Sequence, residues 1–208
     1  MNKKVKEPRF NKYLENISWE ELIEEDQGGV LKENPTEEIT ICDKTIDSCI
    51  FDHIDFDLVK LENVELVDVI FENCNLSNQC FDKKCLYRVV FKNCKMIGSS
   101  FVDASLHDIK FDGCLTRYLN FSGAKIAGIL IQNSELKEAS FLENEIKNMT
   151  LDQVKFPQTE FMQTKLKEVD FSSCDITDAT FDFYSLKGIT VDAFQCQSLV
   201  GMLGVRIK

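Results

Sequence analysis

The residues best suited to chemistry in this sequence are two histidines and three evenly spaced cysteines. His53 and His107 could act as general bases, provided that a nucleophile and an orienting group lie beside them. Cys74, Cys94 and Cys114 recur at every twentieth position, and sulfur atoms stacked in a row could ligate zinc or an iron–sulfur cluster. The elements that position these residues decide between such chemistry and simple packing.

A five-residue period runs through most of the chain. Stepping by five from position 41 to position 191 meets an apolar side chain every time except at Thr116. This period fits neither the repeat of a helix nor the alternation of a strand. The residue two before each apolar centre is mostly small or β-branched, and the other three positions are mostly polar. Two inward and three outward positions make one side of a square coil, so four consecutive units complete a turn.

Centres separated by one full turn should then be vertical neighbours inside the coil. One column contains Phe81, Phe101, Phe121, Phe141, Phe161 and Phe181; a second contains Leu66, Leu86, Leu106, Ile126, Ile146, Leu166 and Leu186; a third contains Phe51, Phe71, Phe91, Phe111, Ile131, Leu151 and Phe171. The fourth column is mixed. Lys44, Lys84, Asn144 and Tyr184 occupy the small inward position, and we expect local bulges or outward side chains there.

This geometry favours packing over chemistry. The three cysteines fall in the small inward position, about 4.8 Å apart, and a single row of sulfur atoms does not supply the tetrahedron that zinc needs. The two histidines fall on outward positions several coils and one face apart, so they do not form a dyad. No glycine-rich phosphate loop, Walker motif or HExxH motif occurs. The sequence therefore argues against an enzyme and predicts no cofactor and no metal.

Composition and charge indicate which classes of partner this protein binds and in which cellular compartment it is found. The 208 residues carry a formal net charge of -11, which disfavours nucleic acid and anionic membranes and favours basic partners. The opening MNKKVKEPRF lacks the apolar stretch of a secretory signal, and no apolar run is long enough to span a membrane. The nine cysteines lack paired spacings, so reduced thiols are expected. We predict a soluble, cytoplasmic protein.

The repeat resembles that of the pentapeptide repeat family, whose consensus is A-(D/N)-L-x-x with Phe alternating for Leu. It appears here as CNLSN (74–78), ASFLE (139–143), CDITD (174–178) and ATFDF (179–183). The resemblance implies an all-β solenoid, a right-handed quadrilateral β-helix of about 7 to 8 coils. We expect residues 39–193 to form this β-helix, residues 1–38 an N-terminal helical cap and lead-in, and residues 194–208 a C-terminal helix and tail.

Both ends carry helix signals. Ser18 and Glu21 fit a capping box, and Asp192 is a plausible N-cap for a terminal helix whose stripe is Cys196, Leu199, Val200 and Leu203. The tail SLKGITVDAFQCQSLVGMLGVRIK resembles the end of quinolone-resistance (Qnr) and MfpA type proteins, which implies an end-to-end homodimer. The expected interface residues are Phe194, Leu199, Val200, Met202 and Leu203. The alternative is a monomer whose helix only plugs the coil.

Acidic residues concentrate on two opposite sides of the predicted coil. The outward positions around the Phe81–Phe181 column, here called the Phe81 face, carry Asp43, Glu62, Asp82, Asp103, Glu143, Glu160 and Asp182 against Lys60 and Lys83. Those around the Phe51–Phe171 column, the Phe91 face, carry Asp52, Glu72, Asp112, Asp152, Asp170 and Asp192 against Lys92 and Lys110. The side around Leu66–Leu186, the Leu86 face, is balanced. We expect a protein partner to bind the two acidic faces.

The resemblance implies a non-enzymatic DNA mimic that binds a type II topoisomerase, DNA gyrase or topoisomerase IV. Such a protein would inhibit the enzyme and modulate quinolone susceptibility. Some Qnr proteins project loops that matter for protection, but the unbroken period from position 41 to position 191 leaves no room for an insertion. Inhibition is therefore favoured over drug protection. The alternative is a rigid interaction scaffold with an unrelated protein partner.

Overall fold

The chain forms a four-sided parallel β-solenoid of about 8 turns with short helices at its ends, which confirms the predicted fold class. The computed structural model describes residues 4–10, 13–25, 28–202 and 204–205. The helices are α1 (Trp19–Glu24), α2 (Phe183–Leu186), α3 (Ala193–Met202) and a 3-10 turn at Phe56–Leu58. The strands are β1 (Val30–Leu31), β2 (Ile39–Cys42), β3 (Thr45–Asp52), β4 (Val59–Glu62), β5 (Glu65–Glu72), β6 (Cys85–Lys92), β7 (Ser105–Asp112), β8 (Leu115–Arg117), β9 (Lys125–Ile126), β10 (Ile129–Gln132), β11 (Glu135–Lys137), β12 (Ser140–Leu142), β13 (Glu145–Ile146), β14 (Met149–Asp152), β15 (Glu160–Met162) and β16 (Thr180–Phe181).

Strand register confirms the predicted length of one coil. The pairs are parallel and join each residue to the one twenty positions along the chain, as in Phe71 with Phe91 and Phe91 with Phe111. The largest sheet has nine strands. Its members β3, β5, β6 and β7 are the longest strands and extend over two adjacent sides, the Leu86 face and the Phe91 face. The other two sides carry shorter strands and isolated bridges.

The corners of the square lie two residues after each apolar centre. Residues there adopt left-handed backbone, for example Asn73 at φ 55°, Asn93 at φ 52° and Gly113 at φ 67°. This conformation is costly for most side chains and cheap for glycine, asparagine and aspartate. A Cβ on Gly113 would also lie 2.5 Å from the Asn93 side-chain oxygen. More than half of the corner residues with positive φ are glycine, asparagine or aspartate, although Arg88 and Tyr118 adopt the same conformation.

Stacked phenylalanine rings fill the core. Phe101 lies 4.8 Å from Phe81 and 5.1 Å from Phe121, ring centroid to ring centroid, in parallel orientation. The two phenylalanine columns meet edge to face, as at Phe91 and Phe101, whose centroids are 6.0 Å apart at 82°. Offset-parallel and edge-to-face contacts are the favourable geometries for aromatic rings. The predicted vertical stacks are confirmed, and all these rings are fully buried.

The four predicted exceptions at the small inward position behave differently from one another. Tyr184 is exposed, in α2, as expected. Lys84 is half-buried, and its ammonium donates to the Cys80 carbonyl at 2.8 Å. The expectation of an outward side chain is wrong for Asn144, which is buried. Its side-chain amide donates to the Phe121 backbone carbonyl of the preceding coil. This hydrogen bond allows a polar side chain to be buried in the core.

The N-terminal cap has the predicted form. Ser18 and Glu21 make the reciprocal hydrogen bonds of a capping box at the start of α1. Trp19 stacks on Phe51 with a centroid separation of 5.9 Å, and the Lys44 ammonium donates to the Ile23 carbonyl at 2.6 Å. Because β1 already pairs with β3, the parallel ladder begins before residue 39.

The C-terminal helix is rotated relative to the predicted stripe. Asp192 caps it, accepting from the backbone N–H of Gln195 at 2.8 Å. Leu199 is buried against the core as expected, but Cys196 is exposed and Gln195 is buried in its place. The Gln195 amide donates to the carbonyls of Phe171 at 2.9 Å and Cys174 at 2.7 Å. A polar side chain faces the core because the last coil offers unpaired carbonyls there.

Residues 4–10 form an extended strap along the outside of the coil, a feature that the sequence did not indicate. The backbone N–H of Arg9 donates to Asp68 at 2.8 Å, and that of Lys6 donates to Asp108 at 3.3 Å. Val5, within this segment, is buried. These contacts place the strap across the coils of β5 and β7. We call residues 4–10 the N-terminal strap.

Candidate functional site

The cysteine row is part of the core. Cys74, Cys94 and Cys114 are each at most 2% exposed, and their thiols donate to backbone carbonyls of the preceding coil at 3.2–3.3 Å. Contacts with the neighbouring thiols together with burial raise the pKa of Cys94, so it stays a neutral thiol. Within the described ranges, no group of three or more histidine, cysteine or acidic residues could hold a metal ion. The three thiols pack in the core of the coil.

The two histidines lie apart and have different partners. His53 Nδ1 is 2.6 Å from the Asp52 carboxylate at the exposed surface. His107 Nε2 is 3.2 Å from the Ser105 hydroxyl, but no carboxylate contacts His107 in the part of the chain that the structure covers. A serine–histidine pair without an orienting group lacks the third member of a catalytic triad. The two histidines therefore do not form a catalytic group with each other.

All the predicted acidic positions lie outside the core. The exposed residues are Asp43, Glu62, Asp103, Glu143, Asp152, Glu160, Asp170 and Asp192, and the half-buried residues are Asp52, Glu72, Asp82, Asp112 and Asp182. Register assigns them to the two opposite faces expected, since each face consists of positions that recur once per coil. The two faces differ in how much of this charge is compensated.

Of the two acidic faces, the Phe81 face carries more of the uncompensated charge. Its carboxylates without a hydrogen bond or ion pair to any described residue are those of Glu62, Asp103, Glu143 and Glu160. One of its two lysines, Lys60, is already paired with Glu38 at 2.9 Å. Two of its acidic side chains accept hydrogen bonds from backbone N–H groups. Asp82 accepts from Val102 at 2.8 Å, and Asp182 accepts from Ser185 at 2.7 Å.

The Phe91 face is partly neutralised in its middle. Lys92 pairs with Glu72 at 2.6 Å, and Lys110 lies 3.3 Å from Asp112. Burial would raise the pKa of Asp112, but hydrogen bonds from neighbouring amides and from Lys110 outweigh it and lower the pKa. The Ser172 hydroxyl and N–H likewise lower the pKa of Asp170. Net negative charge on this face is therefore concentrated towards the C-terminal end.

The C-terminal end exposes large apolar side chains. Phe194 is 83% exposed and Met202 43%, as the predicted interface requires. Val200 is half-buried, whereas Leu199 packs on the core of its own chain, and Leu203 lies outside the described residues. Phe183 of α2 is 79% exposed and was not predicted from the sequence. The signal that could have found it is the break of the inward pattern at Tyr184.

None of the helices in the described ranges is both long enough and apolar enough to span a bilayer.

Comparison with known proteins finds one family model and several solved structures that are similar to this chain. Residues 64–141 match the family model of the pentapeptide repeat region. No curated protein matches the sequence significantly. Among solved structures, full-length QnrB1, a plasmid-mediated fluoroquinolone resistance protein, is 16% identical, with a TM-score of 0.38 over 85% of this chain and 100% of that one.

Two cyanobacterial pentapeptide repeat proteins are similar as well. HetL from Nostoc sp. strain PCC 7120, involved in heterocyst differentiation regulation, is 12% identical with a TM-score of 0.29, covering 76% of this chain and 89% of its own. Rfr23 from Cyanothece 51142 is 13% identical with a TM-score of 0.31, covering 83% and 95%. Residues 64–141 thus match a pentapeptide repeat region, and the same coil continues to Phe181.

Proposed function

We propose that this protein is a non-enzymatic DNA mimic that binds a type II topoisomerase, DNA gyrase or topoisomerase IV, and inhibits it. The observation that carries the proposal is the row of uncompensated carboxylates along the Phe81 face. A rigid rod with negative charge along its outside resembles the charged backbone of duplex DNA. The basic DNA-binding surface of such an enzyme should therefore attract it. Because the enzyme acts on chromosomal DNA, this role places the protein in the cytoplasm.

Dimensions and charge density are compatible with this role. The segment from 39 to 193 makes a rod of roughly 37 Å at about 4.8 Å per coil. It holds 25 acidic residues against 16 lysines and arginines, a net charge of -9, whereas duplex DNA of that length carries about 22 charges. The rod thus has about 40% of the charge density of DNA. Such a field steers a protein towards a basic surface, and salt should weaken the steering.

The Phe81 face is the better candidate of the two acidic sides. Its acidic residues recur along the whole coil, at about one carboxylate per 5 Å, against about one phosphate per 3.4 Å along a DNA strand. On the Phe91 face, Lys92 and Lys110 engage the central carboxylates. Lys110 also lies 3.7 Å from Glu7 of the N-terminal strap. A DNA-binding surface would therefore meet more free charge on the Phe81 face.

Charge reversal on the Phe81 face tests the proposal. We expect the triple variant Glu62→Lys, Asp103→Lys and Glu143→Lys to need about tenfold more protein for half-inhibition of gyrase supercoiling. These three carboxylates make no hydrogen bonds to described residues. Asp103 and Glu143 lie at left-handed corners, but a lysine already occupies the equivalent corner at Lys83 (φ 59°), so the fold should persist. Asp82 is left unchanged because it accepts from the backbone N–H of Val102.

A matched control separates the face from the total charge. The triple variant Glu65→Lys, Glu145→Lys and Asp178→Lys makes the same change in net charge at exposed positions off both acidic faces. This control should inhibit nearly as well as the natural sequence, because it leaves the carboxylates of the Phe81 face in place. Only the first variant loses charge complementarity at that face. Equal loss in both variants, or no inhibition by the natural protein at low salt, would contradict a DNA-mimic surface.

We also propose that the protein forms a homodimer through its C-terminal end. The exposed Phe194 and Met202 give α3 an apolar side that its own coil does not cover, and closed twofold association would bury it. Phe194→Asp should convert the dimer into a monomer in sedimentation experiments, whereas Tyr118→Asp, at a half-exposed aromatic residue far from that end, should not. A natural protein that sediments as a monomer at every concentration would exclude this dimer.

A further inference from the structure

The N-terminal end of the solenoid leaves one strand edge open. The Phe91 side is extended upward by β1 and by the bridge between Asn16 and Val30. Trp19 of α1 covers the adjoining rings of Phe51 and Phe56. On the Phe81 side, within the described ranges, β2 is the first strand and pairs only with β4 below it.

The free edge of β2 presents unpaired backbone groups. The N–H of Asp43 donates downward to the Glu62 carbonyl at 3.1 Å, and backbone direction alternates along a strand. Thr40 and Cys42 therefore direct their N–H and C=O groups towards the open end, and both residues are exposed. An edge of this kind is a template for an additional strand.

A cavity of about 460 Å³ adjoins this edge. Its apolar floor consists of Ile17, Trp19, Ile23 and Ile39, all half-buried and packed on the core. Ile39 is also the first residue of β2. A strand added to the edge would thus place one of its side chains next to this floor, since alternate side chains of a strand point to the same face.

The walls of the cavity are acidic. Glu20, Glu24, Glu33 and Glu37 line it, and among the described residues no lysine or arginine does. None of the four carboxylates forms a hydrogen bond or ion pair with a described residue. Four uncompensated negative charges around an apolar floor favour a ligand that combines positive charge with an apolar side chain.

The site is held in place before any ligand arrives. The indole N–H of Trp19 donates to the Glu33 carbonyl at 2.8 Å, which ties α1 to the segment that forms the opposite wall. Lys44 holds the other end of α1 through the Ile23 carbonyl. Preorganisation of this kind lowers the entropic cost of binding.

We propose that the N-terminal end is a docking site for an extended basic peptide of a partner protein, which adds as a strand to Ile39–Cys42 and seats an apolar residue on Trp19. A second copy of this chain is disfavoured as the occupant, because two acidic ends would repel each other. The proposal is independent of topoisomerase binding, since it uses a different end of the molecule and a different kind of partner.

Tryptophan fluorescence tests the site directly. Trp19 is the only tryptophan of the chain, so its emission reports this cavity alone. Titration with a capped octapeptide of alternating lysine and valine should give a saturable shift of the emission to shorter wavelength. The same peptide with glutamate in place of lysine, or with N-methylated backbone amides, should bind at least about tenfold more weakly. The first change removes charge complementarity and the second removes strand pairing.

Matched protein variants complete the test. Replacing Glu20, Glu24, Glu33 and Glu37 by glutamine should weaken binding about tenfold. Replacing Asp103, Glu143, Asp152 and Glu160 by the corresponding amides removes equal charge elsewhere and should leave binding unchanged. The proposal is overturned by an absent emission shift, by equal binding of the N-methylated peptide, or by emission that follows the protein's own concentration, which would indicate a second copy.

Discussion

Replacing Phe101 with alanine should lower the free energy of unfolding by about 3–5 kcal/mol. The ring is fully buried and lies between Phe81 and Phe121 in its own column, at 4.8 and 5.1 Å. It also meets Phe111 of the opposite column edge to face at 6.2 Å. Removing it opens a cavity that the coils above and below cannot close, because their positions are set by the backbone ladder. Urea denaturation followed by circular dichroism measures the loss.

An exposed phenylalanine of the same chain is the natural control. Phe183→Ala removes as many atoms, but its ring is 79% exposed, so the change should stay within about 0.5 kcal/mol. In a solenoid each coil contacts only the coil above and the coil below. Phe101 lies in the middle of the stack, so its removal weakens the packing of its coil against both neighbours. Equal and small losses for the two variants would show that the aromatic columns do not hold the coil together.

The period of five was sufficient to predict the coil and its columns. The reason is physical: burial selects the residue at every centre, so the pattern recurs along the whole stretch between positions 41 and 191. Errors at single positions do not shift such a phase. Register then assigns each outward residue to a face, so spacing alone gives the face on which each acidic residue lies.

The features that sequence patterns missed are set by individual hydrogen bonds. A local bulge or an outward side chain was expected at Asn144, yet the Phe121 carbonyl accepts a hydrogen bond from its side-chain amide inside the core. Gln195 replaces Cys196 on the buried side of α3 for the same reason. An average preference for apolar residues at inward positions carries no information on which buried carbonyl lacks a partner.

The N-terminal strap was unpredictable for a related reason. Its backbone N–H groups bind the side chains of Asp68 and Asp108, and backbone donors leave no residue pattern. The strap also changes the charge that the Phe91 face presents, because Glu7 approaches Lys110 at 3.7 Å. Ranking the two acidic faces therefore required the structure.

Asp68→Ala should lower the free energy of unfolding by about 3 kcal/mol, because it leaves the largely buried guanidinium of Arg88 without a counter-ion. Asp68 is 5% exposed and accepts two hydrogen bonds from the guanidinium of Arg88 and one from the backbone N–H of Arg9. The Arg88 side chain is only 14% exposed and lies 4.0 Å above the Tyr87 ring. The loss of the Arg9 contact should also free the strap, so trypsin should cut after Arg9 faster than in the natural protein.

The pair of Glu72 and Lys92 is a matched control, since it joins the same two strands but is more open to solvent, with side chains 32% and 48% exposed. Glu72→Ala should cost at most about 1 kcal/mol. If both variants lose the same stability, burial is not what makes the Asp68 pair important.

The dependence of this stabilisation on pH has a definite sign. Burial would raise the pKa of Asp68, but hydrogen bonds from Arg88 and Arg9 and the charge of Arg88 outweigh it, so the pKa is lowered on folding. The stabilisation is therefore complete above the ordinary pKa of about 3.9 and is lost as pH falls through the lower value of the folded state. The difference in unfolding free energy between the natural protein and Asp68→Ala should be constant above about pH 5 and shrink below about pH 4. A difference that instead grows on acidification would mean that the carboxylate is destabilised in the folded protein, and the assignment of Arg88 as its partner would fail.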